Sequence, residues 1–343
     1  MKSSSRKNIN GPALLLLIAI SFSTCNKFSS GPTSPVVPPD PLTYNFHQGN
    51  LSTTGNLLDL GIDGDGFFIL KNGPDVLYYR RPGSFFRDKD GYFVQRFDSI
   101  RLQGMRLNDT VLSPVPSLTA ITDIKIPISL MEKQRATSVV KLFCNLDGRP
   151  DRTGGNASIT VYDHAGSPYA LSIAFEPTQI PDRWDWHISM PDSAKMLHGV
   201  TGYIRFCADG SPDTIGFDDT ADSFAFSPVN TADTIRISID IGHCGTYTGI
   251  TNFNCETTVK AKEQDGYPAG LLSDLSVDQS GVIAGIFTNG VSRGLFQIPI
   301  ANFPCREGLK MNGNNYFFET EYSGVPTVDF PAALKVGCIE LAP

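Results

Sequence analysis

The sequence has little that could build a helix. Across 343 residues the apolar positions almost never recur at helical spacing, and no a/d heptad run is present, which excludes a coiled coil or helical bundle. A basic patch is missing as well. With a net charge of −7 and a pI near 5.2, the chain is a poor partner for nucleic acid or anionic headgroups. Catalytic signatures are absent in the same way: there is no Gly-x-Ser-x-Gly elbow, no phosphate-binding glycine loop and no His-Glu-x-x-His pair. The five histidines are scattered. His243-Cys244 with Cys255 is the nearest approach to a zinc set and lacks a Cys-x-x-Cys pair. Asp163-His164 and Asp185-Trp186-His187 could each be half of an acid/base unit, but adjacent residues on a strand point to opposite faces. No enzyme activity, cofactor or small-molecule substrate is expected.

What is present favours strands. Thirty-two glycines and 24 prolines punctuate a chain that is 41% hydrophobic, long enough for about two domains. The start reads as a leader: Lys2, Arg6 and Lys7 precede an apolar run over residues 13–20, too short to span a bilayer, and small residues follow. Phe22-Ser23-Thr24-Cys25 is similar to a bacterial lipobox, which predicts lipid on Cys25 and a membrane anchor; the alternative is ordinary cleavage after Ser23 or Cys25. Residues 26–43 are a Pro/Ser-rich linker. At about 3.1 Å per residue it could hold a folded part up to roughly 50 Å from an anchor, or be a leader remnant with no mechanical role.

The most particular stretch is residues 48–70. Leu58, Leu60 and Ile62 alternate with polar residues or glycine as in a strand with one buried face, and Gly64-Asp65-Gly66 then reads as a tight reversal into residues 67–70. Asn72-Gly73 predicts a further hairpin turn onto residues 76–80. Asp63-Gly64-Asp65-Gly66 and Asp88-Lys89-Asp90-Gly91 invite a calcium reading, but Phe67 and Tyr92 stand where an EF-hand loop needs its next oxygen ligand, so plain turns are favoured.

These residues resemble the family of bacterial flagellar hook and rod proteins. The likeness runs from the turns at Gly55, Asn56, Asp63, Gly64, Asp65 and Gly66, with Leu57 in place of the usual proline, through Tyr78 to Phe85 and Arg101 to Gly104. It returns at Asp265-Gly266, Asn289-Gly290 and Glu307-Gly308-Leu309. The resemblance implies an all-β chain: a discontinuous hook-type β domain of residues 44–127 plus 264–343, with a second barrel or sandwich inserted over residues 128–263. It also implies terminal coiled-coil helices, which the leader and the end at Pro343 leave no place for. The chain alone is therefore expected not to polymerise into tubes.

Within that layout, and with Cys25 set aside, six cysteines remain for an oxidising compartment. Cys305 with Cys338 would fasten the chain end, Cys244 with Cys255 is the local pairing, and Cys144 with Cys207 is left. The expected function is a non-enzymatic structural or interaction protein of the envelope, an outer-membrane lipoprotein or cell-surface protein with envelope or flagellar protein partners. A soluble periplasmic or secreted protein is the alternative location. Alternative functions are an adhesion or carbohydrate-binding module using Tyr162, Trp184, Trp186 and Tyr203 as a platform, and a periplasmic hydrolase.

Overall fold

The computed structural model describes residues 46–73, 76–107, 116–229, 231–312 and 315–341; the leader, the Pro/Ser-rich linker and Cys25 lie outside them. Among the described residues there is no α-helix, only strands and one 3-10 turn at Arg306–Gly308. The fold is all-β.

The Asn72-Gly73 hairpin forms as the spacing predicts. Gly73 takes a φ of 73°, and Phe67–Asn72 pairs antiparallel with Val76–Arg80 from Phe68↔Arg80 to Asn72↔Val76. Gly64-Asp65-Gly66 behaves differently. Asp59–Ile62 does not pair with Phe67–Asn72; it lies between Gly83–Arg87 and Leu334–Val336. The turn is thus a crossover between strands rather than a hairpin, made by two glycines at φ 117° and 112°. Nor does Asp59–Ile62 have one exposed face. It is buried throughout, because the Leu51 side chain covers Gly61 and a polar cluster encloses Asp59.

Phe67–Asn72 sits inside a large sheet whose other half comes from late in the chain. Its neighbour Arg101–Arg106 pairs with Ser292–Gln297, which continues through Val282–Phe287 to Gly270–Val277 and the short strand Met131–Glu132. Ser280-Gly281 and Asn289-Gly290 make the two hairpins there, as expected from their turn chemistry. The core beneath draws Leu60, Phe68, Phe85, Leu102 and Ile124 from early in the chain and Ile283, Ile298 and Leu334 from late in it.

Residues 139–264 build a sandwich. One five-stranded antiparallel sheet runs Gly155–Tyr162, Pro168–Pro177, Arg183–Ser189, Thr201–Phe206, Pro212–Phe217. The facing sheet runs Ala194–His198, Phe224–Pro228, Ile235–Asp240, Val139–Leu142, Ala261–Gln264, with Val139–Leu142 parallel to Ile235–Asp240. Inward residues alternate with outward ones, so Trp184, Trp186 and Ile188 meet Phe224, Phe226 and Ile237 in one core. This overturns the aromatic platform. Trp184 and Trp186 are 0% and 2% exposed, and Trp186 packs edge-on against Phe217.

The cysteine pairing also differs from expectation. Cys207 bonds Cys244 across a Cα separation of 6.4 Å, leaving Cys144 and Cys255 as free thiols. The local Cys244–Cys255 bond fails because the chain folds back between them. Ile250 N–H donates to Ile241 and Gly245 N–H to Ser211 Oγ, which carries Cys244 against the turn after Cys207, while Cys255 is left beside Asn145. Cys144 is instead buried beside Ile250 on a parallel pair of short strands, where burial raises its thiol to about 11. Cys338 is free too, so it does not bond Cys305. Its strand Cys338–Glu340 pairs with Leu51–Thr53, and its Sγ lies 3.8 Å from Thr53 Oγ1.

Candidate functional site

The motif segment closes the molecule on itself. Arg81 enters the bend of the 63–66 crossover, where Nη1 donates to the Gly66 carbonyl at 2.9 Å and Nη2 to that of Gly64 at 3.0 Å. Its Nε donates to both oxygens of Glu340, at 3.0 and 2.9 Å, and Glu340 Oε1 also accepts Gly49 N–H at 2.8 Å. The side chains of both partners are buried, 10% and 3% exposed. A buried charge pair of this kind is tolerated only when its remaining hydrogen-bonding capacity is met, as it is here by backbone on both sides. The last described strand is thus fastened where a Cys305–Cys338 bond had been expected to hold it.

The other motif turns make further closures. Gly55 and Gly337 both have positive φ; Thr54 and Gly55 N–H donate to the Gly337 carbonyl, and Gly337 N–H donates to Asp59. Asn56 Oδ1 accepts Leu58 N–H and shapes that turn. Asp59 accepts from Thr54 Oγ1 at 2.7 Å and Ser84 Oγ at 2.8 Å. The crossover carboxylates are neutralised by the late part of the chain: Asp63 pairs with Lys335 at 3.1 Å and Asp65 with Arg306 at 2.8 Å, whose hydrogen bond holds the Asp65 carboxyl below its ordinary range. Asp88 uses its carboxylate on Asp90 and Tyr92 N–H, an Asx turn.

Asp265 ties the two strands through which the chain enters and leaves the sandwich. Its Oδ1 accepts Ser138 and Val139 N–H at 2.7 and 2.9 Å, and its Oδ2 accepts Ser138 Oγ at 2.6 Å and Arg135 Nη2 at 3.0 Å. Burial pushes this carboxyl up, but the hydrogen bonds from Ser138 and Val139 outweigh it and hold it low. Gly266 is required by close approach, since a Cβ there would run into Thr137. Asn289 Nδ2 donates to the Pro268 carbonyl at 2.8 Å, and Gly290 follows at φ 83°.

The acid/base fragments are spent on structure. Asp163 caps the 163–167 turn through Ala165 and Ser167 N–H, His164 pairs with Asp233 at 2.8 Å, and Asp185 pairs with Arg183. Arg81 lies inside a stretch that carried the family likeness, but no local signal pointed to Glu340, 259 residues on, as its partner.

Fold and closures together define a structural all-β protein with its first and last described strands locked side by side. Comparison with known proteins agrees. The domain family described as Flagellar basal body protein FlaE D2 domain matches residues 145–267. The flagellar hook protein FlgE of Treponema pallidum is 29% identical over 336 residues, covering 84% of this chain and 72% of that one. FlgE of Borreliella burgdorferi is 30% identical over 300 residues, covering 81% and 67%. The crystal structure of Helicobacter pylori FlgE2 shares the fold, with a TM-score of 0.59 at 14% identity over 85% of this chain and 99% of that one. The chain belongs to the flagellar hook protein FlgE family. Its relatives are structural hook proteins, and on that ground it is a structural protein rather than an enzyme.

Proposed function

We propose that the chain is an exported structural subunit that works through protein contacts with other flagellar components and is held at the cell envelope by lipid on Cys25. The observation that carries the structural role is the closure of both ends by Arg81 and Glu340, which makes the early and late segments one mechanical unit. Export is supported by the Cys207–Cys244 disulfide, a bond of oxidising compartments. The anchor is supported by the charged start, the apolar run and the small residues before Cys25, and by the Pro/Ser-rich linker at residues 26–43. The division of an early and a late segment around an inserted sandwich, 44–127 plus 264–343 around 128–263, is supported by the sandwich core, which draws only on residues within 140–261, although Met131–Glu132 still belongs to the large sheet.

Two measurements test this. Mass spectrometry of the mature N-terminus should find Cys25 lipidated as the first residue; a Cys25 that is unmodified, removed or in a disulfide overturns the anchor, because a thioether sulfur cannot form a disulfide. Cross-linking in cells should recover flagellar hook and rod proteins. Recovery of none of them would contradict the flagellar role even if the anchor holds.

A further inference from the structure

Strand Gly270–Val277 is paired on both sides over only part of its length. Its inner side follows Val282–Phe287 from Leu272 to Val277, with a bulge between Leu272 and Asp274. On its outer side Gly270 and Leu271 pair with Glu132 and Met131, and Leu272 N–H donates to the Leu130 carbonyl. There the neighbouring chain peels away through a turn closed by Leu130 N–H to the Pro127 carbonyl. No described strand pairs with residues 273–277 on that side. Asp278 N–H donates to Val282, so Ser276 and Asp274 face the inner partner and the backbone groups of Leu275 and Val277 point outward.

That open edge is one wall of a groove of about 460 Å³, lined by Leu272, Leu275 and Val277 on one side and by Leu57, Arg87 and Ile128 on the other. The rims are apolar and exposed: Leu57 is 50% and Ile128 60% accessible. Isolated exposed apolar side chains need no explanation, but a row of them along a half-paired strand does. Arg87 Nη1 is buried and has no hydrogen-bond partner. A buried guanidinium donor left unmet is costly. Among the described residues the edge is guarded by Asp274, whose carboxylate accepts Leu275 N–H at 2.8 Å.

We propose that this groove takes an extended segment of a partner protein as an added strand on residues 272–277, with alternate apolar side chains between Leu57 and Ile128 and a carboxylate on Arg87. An unpaired edge calls for a peptide backbone, which neither sugar nor lipid supplies, and the unmet guanidinium donor calls for an anionic acceptor. The partner strand displaces Asp274 from Leu275 N–H. This inference is independent of the lipid anchor and goes beyond membership of the family.

The test is selection from a displayed library of random twelve-residue peptides on the mature chain, with amide hydrogen exchange on the selected peptides. The expected result is enrichment of sequences with alternating apolar residues and one acidic residue, and slowed exchange at Leu275 and Val277. Leu57→Asp and Val277→Pro should each weaken binding by about tenfold or more while keeping the fold by melting; proline is tolerated at an outward-facing edge position. Arg87→Gln should cost about tenfold for the acidic peptide and nothing for its amide counterpart. The proposal is overturned by no enrichment over the Leu57→Asp chain, by binding that leaves those amides unprotected, or by self-association of the chain that protects them, which would assign the groove to a second copy.

Discussion

The two halves of this molecule are held by different means. The sandwich of residues 139–264 rests on one dense core of tryptophan, phenylalanine and branched aliphatics, with a disulfide across its loops. The sheet built from early and late segments also has an apolar core, but its distinctive features are polar closures: Arg81 with Glu340, Asp63 with Lys335, Asp65 with Arg306, and the Gly55–Gly337 contact. The contrast follows from topology. Most strands of the sandwich pair with near neighbours along one continuous stretch, its entry strand Val139–Leu142 excepted, whereas segments more than two hundred residues apart need specific side chains to fix their register.

The largest effects should come from breaking each half by its own means. Trp184→Ala removes a fully buried side chain and should cost about 3–5 kcal/mol, read as lost amide protection in the sandwich while the large sheet keeps its own. Glu340→Ala should cost a similar amount, about 3–5 kcal/mol, because it strands the buried Arg81 charge, and the loss should appear in the large sheet instead. Equal loss of protection in both halves from either substitution would erase the comparison.

A middle-sized effect is expected from the bridge. Cys207→Ser with Cys244→Ser should destabilise the sandwich by about 2–4 kcal/mol in denaturant. Non-reducing peptide mapping should find Cys207 joined to Cys244, with Cys144, Cys255 and Cys338 alkylated as free thiols.

The smallest effect is a pH dependence. Asp265 and Asp65 titrate below their unfolded value of 3.8, so the stability they contribute is fully present above about pH 4 and is lost as pH falls through their lower folded values. Asp265→Asn should flatten the decline of stability below about pH 4 relative to the parent chain. An unchanged slope would mean that the ties across the sandwich's entry strands are not linked to folding.

Much of this architecture was legible in the residues. The Asn-Gly and Ser-Gly turns, the alternating strands and the all-β character follow from local chemistry, which acts within a few residues. Partners far along the chain were not legible. Gly64-Asp65-Gly66 has the composition of a hairpin turn, and only the placement of Leu334–Val336 beside Asp59–Ile62 makes it a crossover. Trp184 and Trp186 alternate as well with a solvent face as with a core, and the second sheet decides. The cysteine pairing failed for the same reason, because separation along the chain says nothing of the fold-back between Ile241 and Ile250. Arg81 and Glu340, 259 residues apart, were each visible as a charge and not as a pair.

Whether that pair fastens the last described strand to the early segment is read by a double-mutant cycle on Arg81→Leu and Glu340→Leu. A coupling of about 2 kcal/mol or more is expected, with the double variant more stable than the sum of the single losses allows. Additive losses, with a coupling within about 0.5 kcal/mol of zero, would contradict it.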